Sequence, residues 1–160
     1  MTEKFTYFSP IGLLLIETKE DLICSATFCE KETETVGFNP ELKEQIIEQL
    51  EAYFAGTLYE FNLPLCAHGT EFQQKVWTQL RKIPYGTRIS YGDLALQLGN
   101  KKLVRAVGGA NSKNPLAILV PCHRVIGSNH KLVGYAGGLW RKKWLLQHEA
   151  SNLPAKISLF

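Results

Sequence analysis

The sequence predicts an α+β fold: a small N-terminal lobe of antiparallel strands plus one helix, followed by a mainly helical C-terminal lobe with a helix-turn-helix. Short apolar runs separated by turn residues fill residues 5–29, which is typical of strands. Beyond a connecting segment, residues 57–69, apolar residues recur at helical spacing instead. We therefore predict two lobes, residues 1–68 and 69–160. A chain of 160 residues with 45% hydrophobic and 21% charged residues is neither disordered nor fibrous, and it can bury a core without disulfides.

The N-terminal lobe has clear boundaries between its elements. Turn residues at 9–12 and 18–21 flank two predicted strands, 13–16 and 22–28. Asn39 followed by Pro40 is typical of the start of a helix, because Asn caps the first free N–H groups and proline tolerates the first helical position. Apolar residues then recur at helical spacing until Gly56, where we expect this helix to end.

The C-terminal lobe begins with Thr70 and Gln73, which have the spacing of a capping box and predict a helix ending before residues 84–86. Ser90 with Asp93 predicts a second capping box. The remaining elements follow in order: a short helix ending at Gly99, a third helix over about 102–111, an apolar run at 116–120 that is a buried strand or an extended segment, a glycine-rich loop at 127–138, and a last helix ending near Glu149. The second and third helices have the outline of a helix-turn-helix.

Charge divides the chain into two halves. Residues 1–80 carry a formal net charge of −8 and residues 81–160 one of +11, with nine of the thirteen cations within 81–131. So large a change favours an anionic partner, most commonly nucleic acid, for the C-terminal half. The longest purely apolar runs are far shorter than the ~20 residues of a membrane-spanning helix. The N-terminus has no apolar segment typical of a secretory signal, so we expect a cytoplasmic protein without membrane association.

Four cysteines, with no CxxC motif, are expected to be thiols: Cys24, Cys29, Cys66 and Cys122. The first three, together with His68, raise the question of a zinc site. We predict no metal, because Cys24 and Cys29 lie on an apolar strand and are expected to pack in the core.

Cys122 is the candidate nucleophile. It follows a buried run and Pro121, which fix its backbone, and it precedes His123 and Arg124 in a basic half of the chain. Nearby positive charge lowers the pKa of a thiol and favours the reactive thiolate. The alternative is a buried structural cysteine beside a surface histidine.

The chain resembles the O6-alkylguanine-DNA alkyltransferases, also called methylated-DNA–protein-cysteine methyltransferases, over about residues 70–149. Five ordered motifs accompany the PCHRV segment at 121–125: residues 89–91, 105–110, 114–115, 134–138 and 144–149. The resemblance implies an enzyme that repairs DNA by direct, stoichiometric and irreversible transfer of an alkyl group from guanine O6 to Cys122, with no cofactor. It also implies that the target nucleotide is flipped out of double-stranded DNA, largely independently of sequence. Activity on O4-alkylthymine is left open.

The resemblance also implies roles for individual residues. Cys122 is the nucleophile, His123 a general base acting through a water, Glu149 the acid that holds the imidazole, and Tyr91 a hydroxyl donor to the guanine ring. The third helix is expected to contact DNA in the minor groove. Arg105 is expected either to fill the gap left by the flipped base or to contact a phosphate. The remaining expected DNA-binding residues are Ala106, Gly108, Gly109, Arg124 and Asn114, the last as a hinge to the active-site loop. The expected substrate pocket comprises Pro121 against the alkyl group, backbone groups near Val125 and Ala136, Tyr135 as a wall, and Gly137.

Three other classes of protein compete with this interpretation. A non-catalytic relative that flags DNA damage would lack the cysteine of the PCHR segment, which is present here as Cys122. A transcription regulator could use the same helix-turn-helix, and a cysteine hydrolase would need an oxyanion hole that no motif indicates. We expect a monomer.

Overall fold

The N-terminal lobe is built on a three-stranded antiparallel sheet. A computed structural model describes residues 2–154. In it β1 (Glu3–Ser9), β2 (Gly12–Lys19) and β3 (Leu22–Cys29) pair in sequence order. Glu20 and Asp21, both with positive φ, form the two-residue turn between β2 and β3. The predicted strands are confirmed. β2 is longer than predicted because Thr18 and Lys19 belong to it rather than to the turn, and β3 extends by one residue, to Cys29.

Helix α1 (Pro40–Phe54) begins where the sequence predicts. The Asn39 side chain accepts hydrogen bonds from the N–H groups of Glu41 and Leu42, and Pro40 occupies the first turn. The helix ends just before Gly56, whose φ of +83° favours glycine. Its buried face belongs to the same core cluster as the sheet and comprises Leu42, Ile46, Leu50 and Tyr53.

Between residues 69 and 154 the C-terminal lobe contains four α-helices: α2 (Glu71–Leu80), α3 (Tyr91–Gln97), α4 (Val104–Ser112) and α5 (Leu139–Ser151). Gly99 (φ +106°) and a 3₁₀ turn at Lys101–Leu103 separate α3 from α4. Both α2 and α3 pack against α4, and the Trp77 indole donates to the Ala110 carbonyl at 2.8 Å. A two-stranded parallel sheet pairs β4 (Ile89–Ser90) with β5 (Val125–Ile126). The α+β fold and the helical C-terminal part are confirmed.

The two predicted capping boxes differ in outcome. Thr70 and Gln73 form the complete reciprocal pair at the start of α2. At α3 the Ser90 hydroxyl accepts from the Asp93 N–H, but the return bond is not among the hydrogen bonds of residues 2–154. Aspartate is one methylene shorter than the Glu or Gln of a capping box, and its side chain does not reach back.

The apolar run at 116–120 is buried, yet it is neither a strand nor extended. Leu116 makes a single bridge to Ala26 of β3, after which the chain turns through Ile118 at φ +72°. The Asn114 amide donates to the carbonyls of Leu116 and Val120, at 3.4 and 2.9 Å. These side-chain bonds replace a strand ladder for part of the run and hold its two ends together.

The expectation that Cys24 and Cys29 pack in the core is wrong, because both are half-exposed on β3. Within residues 2–154, no group of three or more His, Cys, Asp or Glu residues could hold a metal ion. No helix in that part of the chain is long and apolar enough to cross a membrane. Residues 155–160 of the predicted second lobe, and Met1 of the first, lie outside the described residues.

Candidate active site

Cys122 opens a 3₁₀ turn, Cys122–Arg124, is 6% exposed, and lines a cavity of about 100 Å³. The chain reaches this turn directly from the buried run at 116–120, so the sulfur sits on a fixed backbone. The cavity is lined by Ala26, Thr27, Phe28, Asn111, Ser112, Asn114, Ala117, Cys122, Gly134, Tyr135, Ala136 and Gly137.

Behind this turn, the buried carboxylate of Glu149 on α5 accepts five hydrogen bonds. Its donors are His123 Nε2 at 2.7 Å, the Tyr53 hydroxyl at 2.7 Å, Arg124 Nε and Nη2 at 2.8 and 3.0 Å, and the Gly86 N–H at 3.2 Å. Burial alone would raise the pKa of Glu149, but His123 and Arg124 outweigh it and hold that pKa well below its usual range. Glu149 is therefore a carboxylate at any pH at which the protein works.

His123 is fully buried and neutral. Burial lowers its pKa from the usual 6.5, although Glu149 partly opposes the shift. Since Glu149 is an ionised acceptor, the ring proton lies on Nε2, and Nδ1 is left as an unprotonated base. That nitrogen has no hydrogen-bond partner among residues 2–154, and no hydrogen bond in the same region joins His123 to Cys122. The residue that follows Cys122 in sequence therefore carries an unprotonated ring nitrogen, although His123 is not among the residues that line the Cys122 cavity.

The thiol itself is not activated at rest. Burial raises the pKa of Cys122, while the Asn114 side chain and the charge of Lys142 act to lower it. Arg124, which the sequence suggested as an activating charge, instead faces Glu149. Proton removal from Cys122 therefore depends on a base in the site rather than on a low thiol pKa.

Lys142 is a site residue that sequence reasoning missed. Its side chain on α5 is completely buried, and Nζ donates to the carbonyls of Val133 and Gly134 at 2.9 and 3.2 Å. Burial lowers the pKa of Lys142 to about 8. A signal was available: Lys142 lies three and seven residues before Leu145 and Glu149, on the buried stripe of α5.

Comparison with known proteins covers both lobes. A family model described as the 6-O-methylguanine DNA methyltransferase, DNA binding domain, matches residues 71–151. The ribonuclease-like domain of the same methyltransferase matches residues 4–67. The chain belongs to the 6-O-methylguanine DNA methyltransferase family.

Individual members of this methyltransferase family match the chain over its length. A methylated-DNA–protein-cysteine methyltransferase of Mycolicibacterium paratuberculosis is 46% identical, covering 100% of this chain and 99% of the relative. One from Methanosarcina acetivorans is 48% identical over 89% of this chain and 95% of its own. The crystal structure of the Mycobacterium tuberculosis O6-methylguanine methyltransferase superposes with a TM-score of 0.85 at 43% identity, covering 100% and 99% of the two chains. A structure of the Mycobacterium tuberculosis protein in complex with DNA gives a TM-score of 0.83 at 46% identity, covering 97% of each.

In this methyltransferase, most of the predicted DNA-facing residues lie on α4. Arg105, Ala106 and Gly109 are exposed and Gly108 is half-buried, next to the exposed Lys101 and Lys102. Arg105, Ala106 and Gly109 therefore mark an exposed face of α4, whereas Val107 and Ala110 on the opposite face are buried.

Arg124 does not lie on this surface, so the expectation that it binds DNA is wrong. Its guanidinium is buried, bonded to Glu149 and to the Ile83 carbonyl at 2.7 Å, and it lies 5.6 Å from the centre of the Tyr85 ring. A buried carboxylate needs a charged partner, and Arg124 fills that need with a two-point contact. It therefore cannot reach a phosphate.

The predicted pocket is partly reproduced. Tyr135, Ala136 and Gly137 line the Cys122 cavity. Pro121 lines a second cavity, of about 620 Å³, and is not among the residues that line the Cys122 cavity. Its contact with the alkyl group stays a prediction. Ala117 is on the wall of the Cys122 cavity instead.

Val125 and Tyr91 lie beside the Cys122 cavity without lining it. Val125 is buried in β5, and its N–H donates to the Cys122 carbonyl. The Tyr91 hydroxyl donates to the Val133 carbonyl at 3.2 Å and accepts from Asn111 at 3.4 Å. It would lie 3.9 Å from a Cβ placed on Gly134, so it is at the rim of the cavity.

Proposed function

We propose that this protein repairs DNA by transferring the alkyl group of O6-alkylguanine to its own Cys122, once per molecule. The observation that carries the proposal is that Cys122 lines a cavity and is followed in sequence by a buried, neutral His123, whose Nδ1 has no hydrogen-bond partner within residues 2–154. Relatives at 46 and 48% identity bear the name methylated-DNA–protein-cysteine methyltransferase.

The transfer moves one proton and one alkyl group. His123 Nδ1 accepts the thiol proton through a water, and the Cys122 sulfur attacks the alkyl carbon. A carbon–sulfur bond forms as the bond between that carbon and guanine O6 breaks, and the guanine keeps the electron pair. The Tyr91 hydroxyl hydrogen-bonds to the purine as charge develops on it, and the proton taken from sulfur ends on guanine.

The product explains why each molecule acts once. A thioether has no good leaving group, and water does not cleave it. The proposal gives no role to a second nucleophile or to a cofactor, so alkylated Cys122 is the end state of the protein.

DNA binds, in this proposal, along the exposed face of α4. Arg105, Ala106, Gly108 and Gly109 enter the minor groove, and Arg105 takes the place of the flipped nucleotide. Exposed cations such as Lys101 and Lys102 contact phosphates, which provides affinity without reading sequence. Asn114 acts as the hinge between α4 and the loop. O4-alkylthymine is a possible second substrate of the same pocket, since it presents an alkylated exocyclic oxygen in the same way.

We also propose that the protein acts as a monomer with lobes at residues 1–68 and 69–160. A cytoplasmic location is part of the same proposal.

The test is to find the alkyl group. Excess protein is incubated with a duplex oligonucleotide containing one O6-methylguanine, digested, and analysed by peptide mass spectrometry. The proposal predicts one methyl group on the peptide containing Cys122 and none on those containing Cys24, Cys29 or Cys66. Tight binding of the lesion with an unmodified Cys122 would instead indicate a protein that only flags damage.

A further inference from the structure

The N-terminal lobe forms part of the cavity that holds the reactive sulfur. Three consecutive residues of β3, Ala26 to Phe28, line it together with Cys122. Backbone hydrogen bonds hold β3 against the C-terminal lobe at this point: Ala26 N–H donates to the Pro115 carbonyl at 2.8 Å, and Ala117 N–H donates to the Ala26 carbonyl at 2.9 Å. The wall from β3 is therefore built into the fold.

Phe28 closes this wall against the glycine-rich loop. A Cβ placed on Gly137 would lie 2.8 Å from Phe28 Cδ2 and 2.9 Å from Tyr135 Cε2. Both distances are shorter than real carbon contacts, so the two rings approach Gly137 so closely that no side chain fits there. The edge of the cavity is thus a contact between an aromatic ring of the N-terminal lobe and the active-site loop.

Arg141 on α5 holds this contact in place. Its guanidinium lies 4.4 Å from the centre of the Phe28 ring, donates from Nη1 to the Gly137 carbonyl at 2.7 Å, and donates from Nε to the Ile11 carbonyl at 2.7 Å. One side chain therefore joins the first turn of the sheet, the Phe28 ring and the loop.

The volume of the cavity limits what can enter it. An apolar cavity of about 150 Å³ accommodates benzene in another protein, whereas this cavity, which must also admit the edge of the purine, measures about 100 Å³. It has room for a methyl group, but a benzyl group requires the wall to move.

We propose that Phe28 determines the adduct size that the protein accepts, and that Arg141 is the positioning residue that keeps Phe28 against Gly137. This inference rests on the proposed alkyl transfer and concerns the size of the alkyl group that the reaction accepts. A small alkyl group fits beside the ring, whereas a large one must displace Phe28 and break the contacts that Arg141 makes.

The test compares two substrates in the same duplex, one carrying O6-methylguanine and one O6-benzylguanine. Single-turnover rates are measured for the wild type, Phe28→Ala and Arg141→Met. Phe8→Ala is the matched control, since Phe8 is 80% exposed on β1 of the same lobe. We expect the benzyl-to-methyl rate ratio to rise at least about tenfold in Phe28→Ala. It rises less in Arg141→Met and is unchanged in Phe8→Ala.

A purely structural role for Phe28 would slow both substrates equally and leave the ratio at the wild-type value, which overturns the inference. If Phe28→Ala does not fold, as judged by its thermal transition, the same ratio is measured in Phe28→Leu and Phe28→Val, where it must still rise. Failure of the wild type to transfer the methyl group would contradict the proposed function instead. A wild type that transfers methyl, with variants whose ratio is unchanged, contradicts only the role of Phe28.

Discussion

Glu149 shows how single residues decide which proton can move. Arg124 is the partner that compensates the carboxylate charge, so the pair is close to neutral as a unit. Burial can then keep His123 uncharged, with its one proton committed to Glu149 through Nε2. Nδ1 remains as a base. If Arg124 did not compensate its charge, the Glu149 carboxylate would favour the protonated imidazolium form of His123. That form could not accept the thiol proton.

Tyr53 gives the first prediction at this scale. It comes from α1 in the N-terminal lobe, is 1% exposed, and donates to the oxygen of Glu149 that also binds His123. Tyr53→Phe removes only that donor, so His123 becomes less firmly positioned. We expect the single-turnover rate to fall by on the order of tenfold. Tyr59→Phe, at an exposed tyrosine, is the control and should not change the rate. Equal rates in the two variants would show that Tyr53 only fills space.

The pH dependence follows from His123 and Cys122. Burial lowers the pKa of His123 below 6.5, so the base stays free until the solution becomes distinctly acidic. Burial raises the pKa of the Cys122 thiol, so free thiolate is scarce near neutrality. Single-turnover rates should therefore be flat around pH 7 and decline only below pH 6.5. A rate that climbs continuously with pH to 9 and beyond would mean that Cys122 ionises without His123.

Lys142 allows a direct test of thiol electrostatics. Its charge acts to lower the pKa of Cys122, and burial keeps water from screening it. Lys142→Met preserves the length of the side chain without the charge, so the Cys122 thiol should titrate at higher pH. It should also react more slowly with iodoacetamide at pH 7, where Lys142, with a pKa of about 8, is still mostly charged. Lys143→Met, at the exposed neighbouring position on α5, is the matched control. Identical thiol titrations in the wild type and Lys142→Met would remove Lys142 from the site.

Elements were predictable from sequence where the signal is local. Asn39 with Pro40, and Thr70 with Gln73, fix the starts of α1 and α2 through bonds that span three residues. The run at 116–120 was not predictable, because its shape depends on a side chain, Asn114, that replaces ladder bonds with its own amide. The apolar composition of this run predicted that it is buried, but it did not predict the path of its backbone.

Helix α4 carries the prediction that belongs to an element. Arg105 is exposed on this helix, next to half-buried Gly108. If it fills the gap of a flipped nucleotide, Arg105→Ala should slow transfer from a duplex far more than transfer from free O6-methylguanine, which needs no flipping. Single-turnover rates on the two substrates give the comparison. Lys31→Ala, on the exposed part of the N-terminal lobe, should affect neither. Equal slowing on both substrates would indicate a role for Arg105 in the chemistry or in folding.

For the molecule as a whole, the contacts that complete the site join residues distant in sequence. Tyr53 reaches Glu149 across 96 positions, and Arg141 reaches Ile11 across 130. Charge and motif directed attention to the C-terminal half of the chain, which contains the proposed site residues Cys122 and His123. They gave no indication that the N-terminal lobe supplies a hydrogen bond to Glu149 and a wall of the cavity, because such pairings depend on tertiary packing and leave no periodic pattern. Arg124 was wrongly predicted to bind DNA for the same reason, because its partner, Glu149, lies 25 positions away.

The proposed transfer is tested most directly by measuring how many guanines each protein molecule restores. A fixed amount of protein meets increasing excess of duplex DNA containing O6-methylguanine, and the restored guanine is quantified after the reaction stops. We expect a plateau at one guanine per protein molecule for the wild type and no restored guanine for Cys122→Ser. Guanine restored many times over by the wild type, or restored at all by Cys122→Ser, would contradict the proposed transfer.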